Sequence, residues 1–320
     1  MKNRPLPAIY SVTAVGPLLE EVQHLYGLAG PVYGRLLRAW VNDVYEVTTP
    51  NGHFVLKVYR DQWRSAEEVA WEAELQAHLG AHGLGVAPII PVHDGQLTAA
   101  VQTPEGERPI TLSRYVEGAK PDHPLPPNFY SQFGQLGAAV HQISDGFSSP
   151  HPRPQLDRAA LIDEPLATVR PWFEHRPADW AFLSTLGDVL RQKLDDLISQ
   201  GMDWGICQGD FSLDNVHIVE DGRLVLHDFD HAAYSWRALD LYGVQVSKRG
   251  NWDAFLQGYT AVRSLSEADL AAGPYIWATS YLRMMAGEIR LWAEWVGTLR
   301  ITGWIEDELA ALHSWSDTCL

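Results

Sequence analysis

Apolar and polar positions alternate at two different periods along this chain, and the change of period divides it. Residues 8 to 30 follow a helical repeat, and residues 32 to 116 are dominated by short runs of period two. The strongest of these runs are Val44 to Thr49 and His53 to Tyr59. They are β-branched and aromatic, and Pro50-Asn51-Gly52 lies between them, which predicts a β-hairpin. Ser65 to Leu79 predicts a helix with Val69, Leu75 and Leu79 along its apolar stripe. Ser65 is its N-cap, and Glu67 and Glu68 lie in the first turn. Leu97 to Val101 and Ile110 to Val116 close the strand-rich region. Pro121 to Pro127 breaks the chain before a helix at Phe129 to Ile143, and Ser148 to Leu156 is a proline-rich connection. Further helices are expected at about 178 to 200, 251 to 262, 266 to 296 and 303 to 316. The pattern predicts an α+β chain with an antiparallel-sheet lobe over 1–116 and a larger, mainly helical lobe over 117–320.

Two apolar runs inside the helical region stand out. Val216 to Val219 and Arg223 to Leu226 predict short strands joined at Glu220-Asp221-Gly222. With Asp221 and Gly222 as the two central turn residues, Asn215 falls directly opposite Asp228. Paired positions of such a ladder have Cβ atoms roughly 5 Å apart. Asp210 and Asn215 are five residues apart in Gln208-Gly209-Asp210-Phe211-Ser212-Leu213-Asp214-Asn215, and Asp228-Phe229-Asp230 follows. Phosphoryl transfer needs a carboxylate to take the nucleophile's proton and oxygen ligands to hold a divalent metal on nucleotide phosphates. The spacing assigns the base to Asp210. It makes Asp228 the principal Mg²⁺ ligand, with Asn215 on a second ion or assisting the first.

Upstream, Lys57 interrupts the apolar run Phe54-Val55-Leu56-Lys57-Val58-Tyr59. It is read as the cation for the α- and β-phosphates of ATP, with Val55 on the same face against the adenine. A buried ammonium requires a carboxylate. Glu72 lies on the apolar stripe of the following helix, whereas Glu74 projects away, so Glu72 is the expected partner.

These residues resemble those of the aminoglycoside phosphotransferase and choline kinase family, a bacterial branch of the protein-kinase-like fold. The resemblance runs from about Val32 to Trp295. The family's His-Gly-Asp is matched by Gln208-Gly209-Asp210, and its Ile-Asp-Trp/Phe-Glu/Asp by His227-Asp228-Phe229-Asp230. Leu136-Gly137-Ala138-Ala139-Val140-His141 and Ala238-Leu239-Asp240-Leu241 also match. The resemblance implies a bilobal kinase-like fold and an ATP- and Mg²⁺-dependent transfer to a hydroxyl of a small molecule. It also implies a hinge near Ser113 to Gly118 whose backbone faces the adenine edge, which marks Ser113, Tyr115 and Val116. Asp240 becomes a structural acid bracing the catalytic loop. No glycine occurs in Leu37-Arg38-Ala39-Trp40-Val41-Asn42-Asp43, so the phosphate-covering segment is expected to use Asn42 and backbone amides. Rival readings are a protein Ser/Thr kinase of the same fold and a nucleotide-binding module without activity. The 11 residues between Asp228 and Asp240 are short for gripping a peptide, and the retained Asp210, Asn215, Asp228 and Lys57 weigh against the second.

Composition narrows the partners. The chain has 320 residues, 40 Asp and Glu against 24 Lys and Arg, and a net charge of −16, which argues against nucleic acid and is compatible with a cationic acceptor. Cys207 and Cys319 alone suggest neither a disulfide framework nor a zinc site. No apolar leader follows Met1 and no run approaches membrane-spanning length, so a cytoplasmic monomer or homodimer is expected. Trp277, Tyr281, Trp292, Trp295, Trp304 and Trp315 read as helix-packing aromatics, with Glu288 and Glu294 as candidates for holding an amine. His217 and His227 are read as packing residues beside the metal carboxylates.

Overall fold

The computed structural model describes residues 8–245, 250–292 and 298–319. In chain order the helices and strands are α1 (Val15–Tyr26), β1 (Tyr33–Ala39), β2 (Asp43–Thr49), β3 (Gly52–Val58), α2 (Ala66–Ala81), β4 (Ile89–Ile90), β5 (Ala99–Thr103), β6 (Gly106–Arg114), α3 (Pro127–Ser144), α4 (Glu164–Val169), α5 (Pro177–Ser199), β7 (Trp204–Cys207), β8 (Val216–Ile218), β9 (Leu224–Leu226), β10 (Ala233–Trp236), α6 (Tyr242–Gln245), α7 (Trp252–Thr260), α8 (Glu267–Trp292) and α9 (Thr298–Cys319). They form two compact units. One contains residues 1–121, 146–153 and 213–230; the other contains the remainder.

The first unit is built on an antiparallel sheet of order β1-β2-β3-β6-β4, with β5 also paired to β6. The predicted hairpin forms with Thr49 opposite Gly52, so Pro50 and Asn51 make a two-residue loop. One sheet face is apolar. Tyr45, Val47, Leu56, Val58, Ile110 and Leu112 pack there with Leu18, Leu19 and Val22 of α1. Helix α2 starts where its cap signal predicts: Ser65 Oγ accepts from Glu68 N at 3.2 Å, and Glu68 returns a bond to Ser65 N. This reciprocal pair satisfies two N–H groups that a helix start leaves open.

The second unit is helical. Its core joins Leu183, Leu186, Leu190 and Leu194 of α5 to Ile276, Leu282 and Met285 of α8 and to Leu309, Leu312 and Trp315 of α9. Trp277, Tyr281 and Trp304 pack against that core. The Trp292 side chain, Glu294 and Trp295 lie outside the described residues. Two short strands, β7 and β10, pair antiparallel and frame the segment that carries Asp210. Sequence reading missed them because four residues are too few to show a period.

Candidate active site

Lys57 sits in β3 directly between Val44 of β2 and Thr111 of β6, on the face opposite the apolar core. Its Nζ donates to Asp228 Oδ1 at 2.8 Å. It stands 3.5 Å from Glu72 Oε1 and 3.8 Å from Asp230 Oδ2. Burial pulls the ammonium's pKa down, but the three carboxylates outweigh it and hold it well above its ordinary value. Glu72 is buried as its place on the α2 stripe predicts, and burial pushes its carboxyl upward against the pull of Lys57. Its shortest partner is the Tyr59 hydroxyl, which donates at 2.7 Å. Glu74 instead accepts from Ser149 Oγ at 2.5 Å.

Asp230 anchors the cluster. Its side chain accepts from Asn42 Nδ2 at 2.7 Å and from Trp63 Nε1 at 3.0 Å. Its carbonyl accepts from Arg64 at 2.9 Å and from the buried Arg153 guanidinium at 2.5 Å. Asn42 Oδ1 accepts from Arg60 N at 3.0 Å. Both polar ends of the Asn42 amide are thus engaged and the residue is buried. The Asn42 side chain, expected over the phosphates, is here hydrogen-bonded to Asp230 and to the Arg60 N–H.

The hairpin that carries the expected metal ligands forms, but its register differs by one residue from the one predicted. Val216 pairs with Leu226, His217 with Val225 and Ile218 with Leu224. Gly222 N donates to Val219 O at 2.8 Å, Val219 N donates to Arg223 O at 3.0 Å, and Gly222 has φ +82°. The loop therefore has three residues, Glu220 to Gly222, with the left-handed position last. One extra loop residue moves His227, and not Asp228, opposite Asn215, and His227 N donates to Asn215 O at 2.9 Å. Asp228 follows with φ +61°, a conformation that costs a non-glycine residue about 1–2 kcal/mol. Asn215 is buried at the end of a short 3-10 turn. The His217 and His227 rings lie 4.9 Å apart, and burial together with His217 pushes the His227 pKa down to about 4.

In the second unit, Asp210 follows a tightly held loop. Gln208, which stands where the family has His, is fully buried, and its Oε1 accepts from Asp210 N at 2.8 Å. Asp240 accepts from Gln208 N at 2.6 Å and Gly209 N at 2.8 Å, and lies 3.0 Å from His141 Nε2. His141 Nδ1 in turn meets the Tyr259 hydroxyl at 2.7 Å. Gly209 has φ +84°, and a Cβ there would run into the His231 carbonyl. His141, Cys207 and Asp240 are close enough to hold a metal, yet Asp240 is occupied by backbone N–H groups and burial pushes the Cys207 thiol well up. That chemistry is a loop brace.

Of the residues expected around the adenine, Val55 and Ser113 have a register position on the Lys57 face, and Tyr115 and Val116 follow the end of β6. Val55 pairs with Glu46 on one side and Ser113 on the other. Tyr115 N donates to His53 O at 3.0 Å, and its ring stacks on His53 at 3.9 Å. His53 is further held between Glu46 at 2.8 Å and Glu117 at 3.0 Å. Sequence reading missed Trp63, Arg64 and Arg153 around Asp230. None carries a local signal, because their partner is more than 75 positions away.

In the helical unit, Glu308 of α9 is buried with its Oε2 unpartnered among the described residues. Burial, then Asp307 and Glu288, raise its pKa to about 7. Among the described residues no helix is long and apolar enough to cross a membrane.

Comparison with known proteins matches residues 34–273 to the phosphotransferase enzyme family. A protein of Deinococcus radiodurans is 33% identical over 297 residues, covering 89% of this chain and 85% of its own length. A homoserine kinase of Allorhizobium ampelinum is 26% identical over 270 residues, covering 78% of each. Among solved structures, amicoumacin kinase hAmiN in complex with AMP-PNP, Ca²⁺ and Ami superposes with a TM-score of 0.72. It is 19% identical, and the match covers 95% of this chain and 92% of that one. At that identity the likeness concerns the α+β kinase-like fold.

Proposed function

Because this chain belongs to the phosphotransferase enzyme family and is a small-molecule phosphotransferase, we propose that it moves the γ-phosphate of ATP to a hydroxyl of a small, amine-bearing acceptor. The observation that carries this reading is the contact of Lys57 Nζ with Asp228 Oδ1 at 2.8 Å. It unites a strand lysine with a carboxylate 171 positions away, and Glu72 and Asp230 lie 3.5 and 3.8 Å from the same ammonium.

Lys57, held by Glu72, is the cation for the α- and β-phosphates. Val55, Ser113, Tyr115 and Val116 form the adenine side. Asn215 and Asp228 offer a carboxamide and a carboxylate, hard oxygen donors that suit Mg²⁺ beside phosphate oxygens. The metal, when bound, neutralises phosphate charge. Asp210 orients the acceptor hydroxyl and takes its proton as the new O–P bond forms. The bond from γ-phosphorus to the bridging oxygen breaks and its electron pair leaves with ADP. Positioning and charge neutralisation supply most of the rate.

The homoserine and amicoumacin kinases make homoserine and amicoumacin the first acceptors to test, beside choline and aminoglycosides. The net charge of −16 favours cations in general. The test is phosphate transfer from ATP to homoserine, amicoumacin, choline and aminoglycosides, run with Asp210→Ala in parallel. Loss of transfer by about 10²–10⁴-fold with MgATP binding intact supports the assignment. Full turnover by Asp210→Ala would overturn it.

A further inference from the structure

We propose that Arg38 is a second phosphate-binding cation, presented by a β-bulge where this chain has no glycine loop. The proposal rests on the ATP reading above and goes beyond it, since nothing in the motif points to Arg38.

The first observation is the register of β1 against β2. Leu36 lies opposite Tyr45 and Arg38 opposite Val44, so Leu37 is an extra residue. Tyr45 faces the apolar core, whereas Val44 lies opposite Lys57 on the other face. Without the bulge, plain alternation would set Leu37 opposite Val44 and turn Arg38 to the core side. The extra residue exchanges an apolar side chain for a guanidinium on the row Arg38–Val44–Lys57–Thr111.

The second observation is where that guanidinium goes. Arg38 Nη2 stands 3.4 Å from Asp228 Oδ2, and Lys57 Nζ stands 2.8 Å from Asp228 Oδ1. One carboxylate thus has a different cation on each oxygen. Asp228 would help to hold a divalent metal, which would supply charge neutralisation to nucleotide phosphates, and Arg38 and Lys57 are the cations already gathered at that carboxylate. The guanidinium offers a planar fork of donors that matches phosphate oxygens, while Lys57 is a point charge. The Arg38 side chain is 62% exposed and Lys57's is 13% exposed, so the lysine belongs to the built cluster and the arginine is free to follow a ligand.

The third observation is the absence of a competitor in this segment. Residues 37 to 43 contain no glycine to let backbone amides approach a polyphosphate closely, and the Asn42 side chain is committed to Asp230 and Arg60.

The test is calorimetric binding of MgADP and of adenosine to wild type, Arg38→Ala, Arg38→Gln and Arg38→Lys. Two neutral variants are used so that a folding defect in one leaves the other to report, with thermal melting as the check. The expected result is an about tenfold loss of MgADP affinity in both neutral variants, with adenosine unchanged and partial recovery in Arg38→Lys. Unchanged MgADP affinity, or equal losses for MgADP and adenosine, overturns the role of Arg38 and leaves the ATP reading standing. Failure of wild type to bind MgADP removes that reading and this one with it.

Discussion

Lys57 is 2.8 Å from Asp228 but 3.5 Å from Glu72, so the helix glutamate that sequence reasoning chose as its partner is the more distant of the two carboxylates. Glu72 still belongs to the arrangement, because the Tyr59 hydroxyl pins it at 2.7 Å with Lys57 over the same tyrosine ring. The lysine is shared among three acids, and its loss affects each.

Replacing Lys57 with Met therefore has two consequences. It removes the phosphate cation, and it leaves Glu72, Asp228 and Asp230 without their central counter-charge. Breaking a buried pair from one side costs about 3–5 kcal/mol. Steady-state transfer should fall by more than about a hundredfold, and the urea midpoint should drop with it. Unchanged stability would mean that the acids are neutralised elsewhere.

Gln208 should act through Asp210. Its Oε1 accepts from the Asp210 N–H, and Gln208→Ala removes that hydrogen bond at a cost of about 1 kcal/mol. The expected kinetic signature is a reduced kcat with little change in the KM for ATP, since the nucleotide residues proposed above lie elsewhere in the chain. A Gln208→Glu variant, which keeps an acceptor at that place, should recover part of the rate. An altered KM for ATP with kcat intact would contradict a positioning role.

Gly209→Ala is expected to be among the most damaging single substitutions in the chain. The position combines φ +84° with the His231 carbonyl where a Cβ would sit. Strain and overpacking together amount to about 3 kcal/mol or more. Chemical denaturation of the variant measures this directly. Gly222→Ala, also left-handed at φ +82° but with open space around it, should cost only about 1 kcal/mol.

Glu308 should make stability pH-dependent. Its folded pKa of about 7 lies above the ordinary 4.5, so between these values the folded state binds more protons than the unfolded one. Stability then falls as pH rises from about 4.5 to about 7, and the full penalty applies above that. Glu308→Gln should remove this slope and stabilise the protein by ~2 kcal/mol at pH 8. Melting temperatures of both proteins at pH 5 and pH 8 provide the measurement, and parallel pH dependence in the two would refute it.

Much of this was legible before any coordinates, wherever the cause was local. The N-cap at Ser65, the hairpin around Pro50-Asn51, the burial of Glu72 on its stripe and the Asp240 brace all follow from chemistry within a few residues or from a motif. The register of the hairpin at 216–226 did not, because Glu220-Asp221-Gly222 is compatible with loops of two or three residues. A difference of one residue changes which side chain faces Asn215.

By itself the sequence determined the residue types: a strand lysine, a buried helix glutamate, and acids and an asparagine at the spacing phosphoryl transfer requires. The fold decided their partners. Lys57 with Asp228, Asn42 with Asp230, and Arg38 brought onto the Lys57 row by a bulge are pairings fixed by packing and strand register. Partners up to 190 positions apart in the chain leave no periodic trace, because helix and strand periods report only which face a residue occupies and never what waits opposite it.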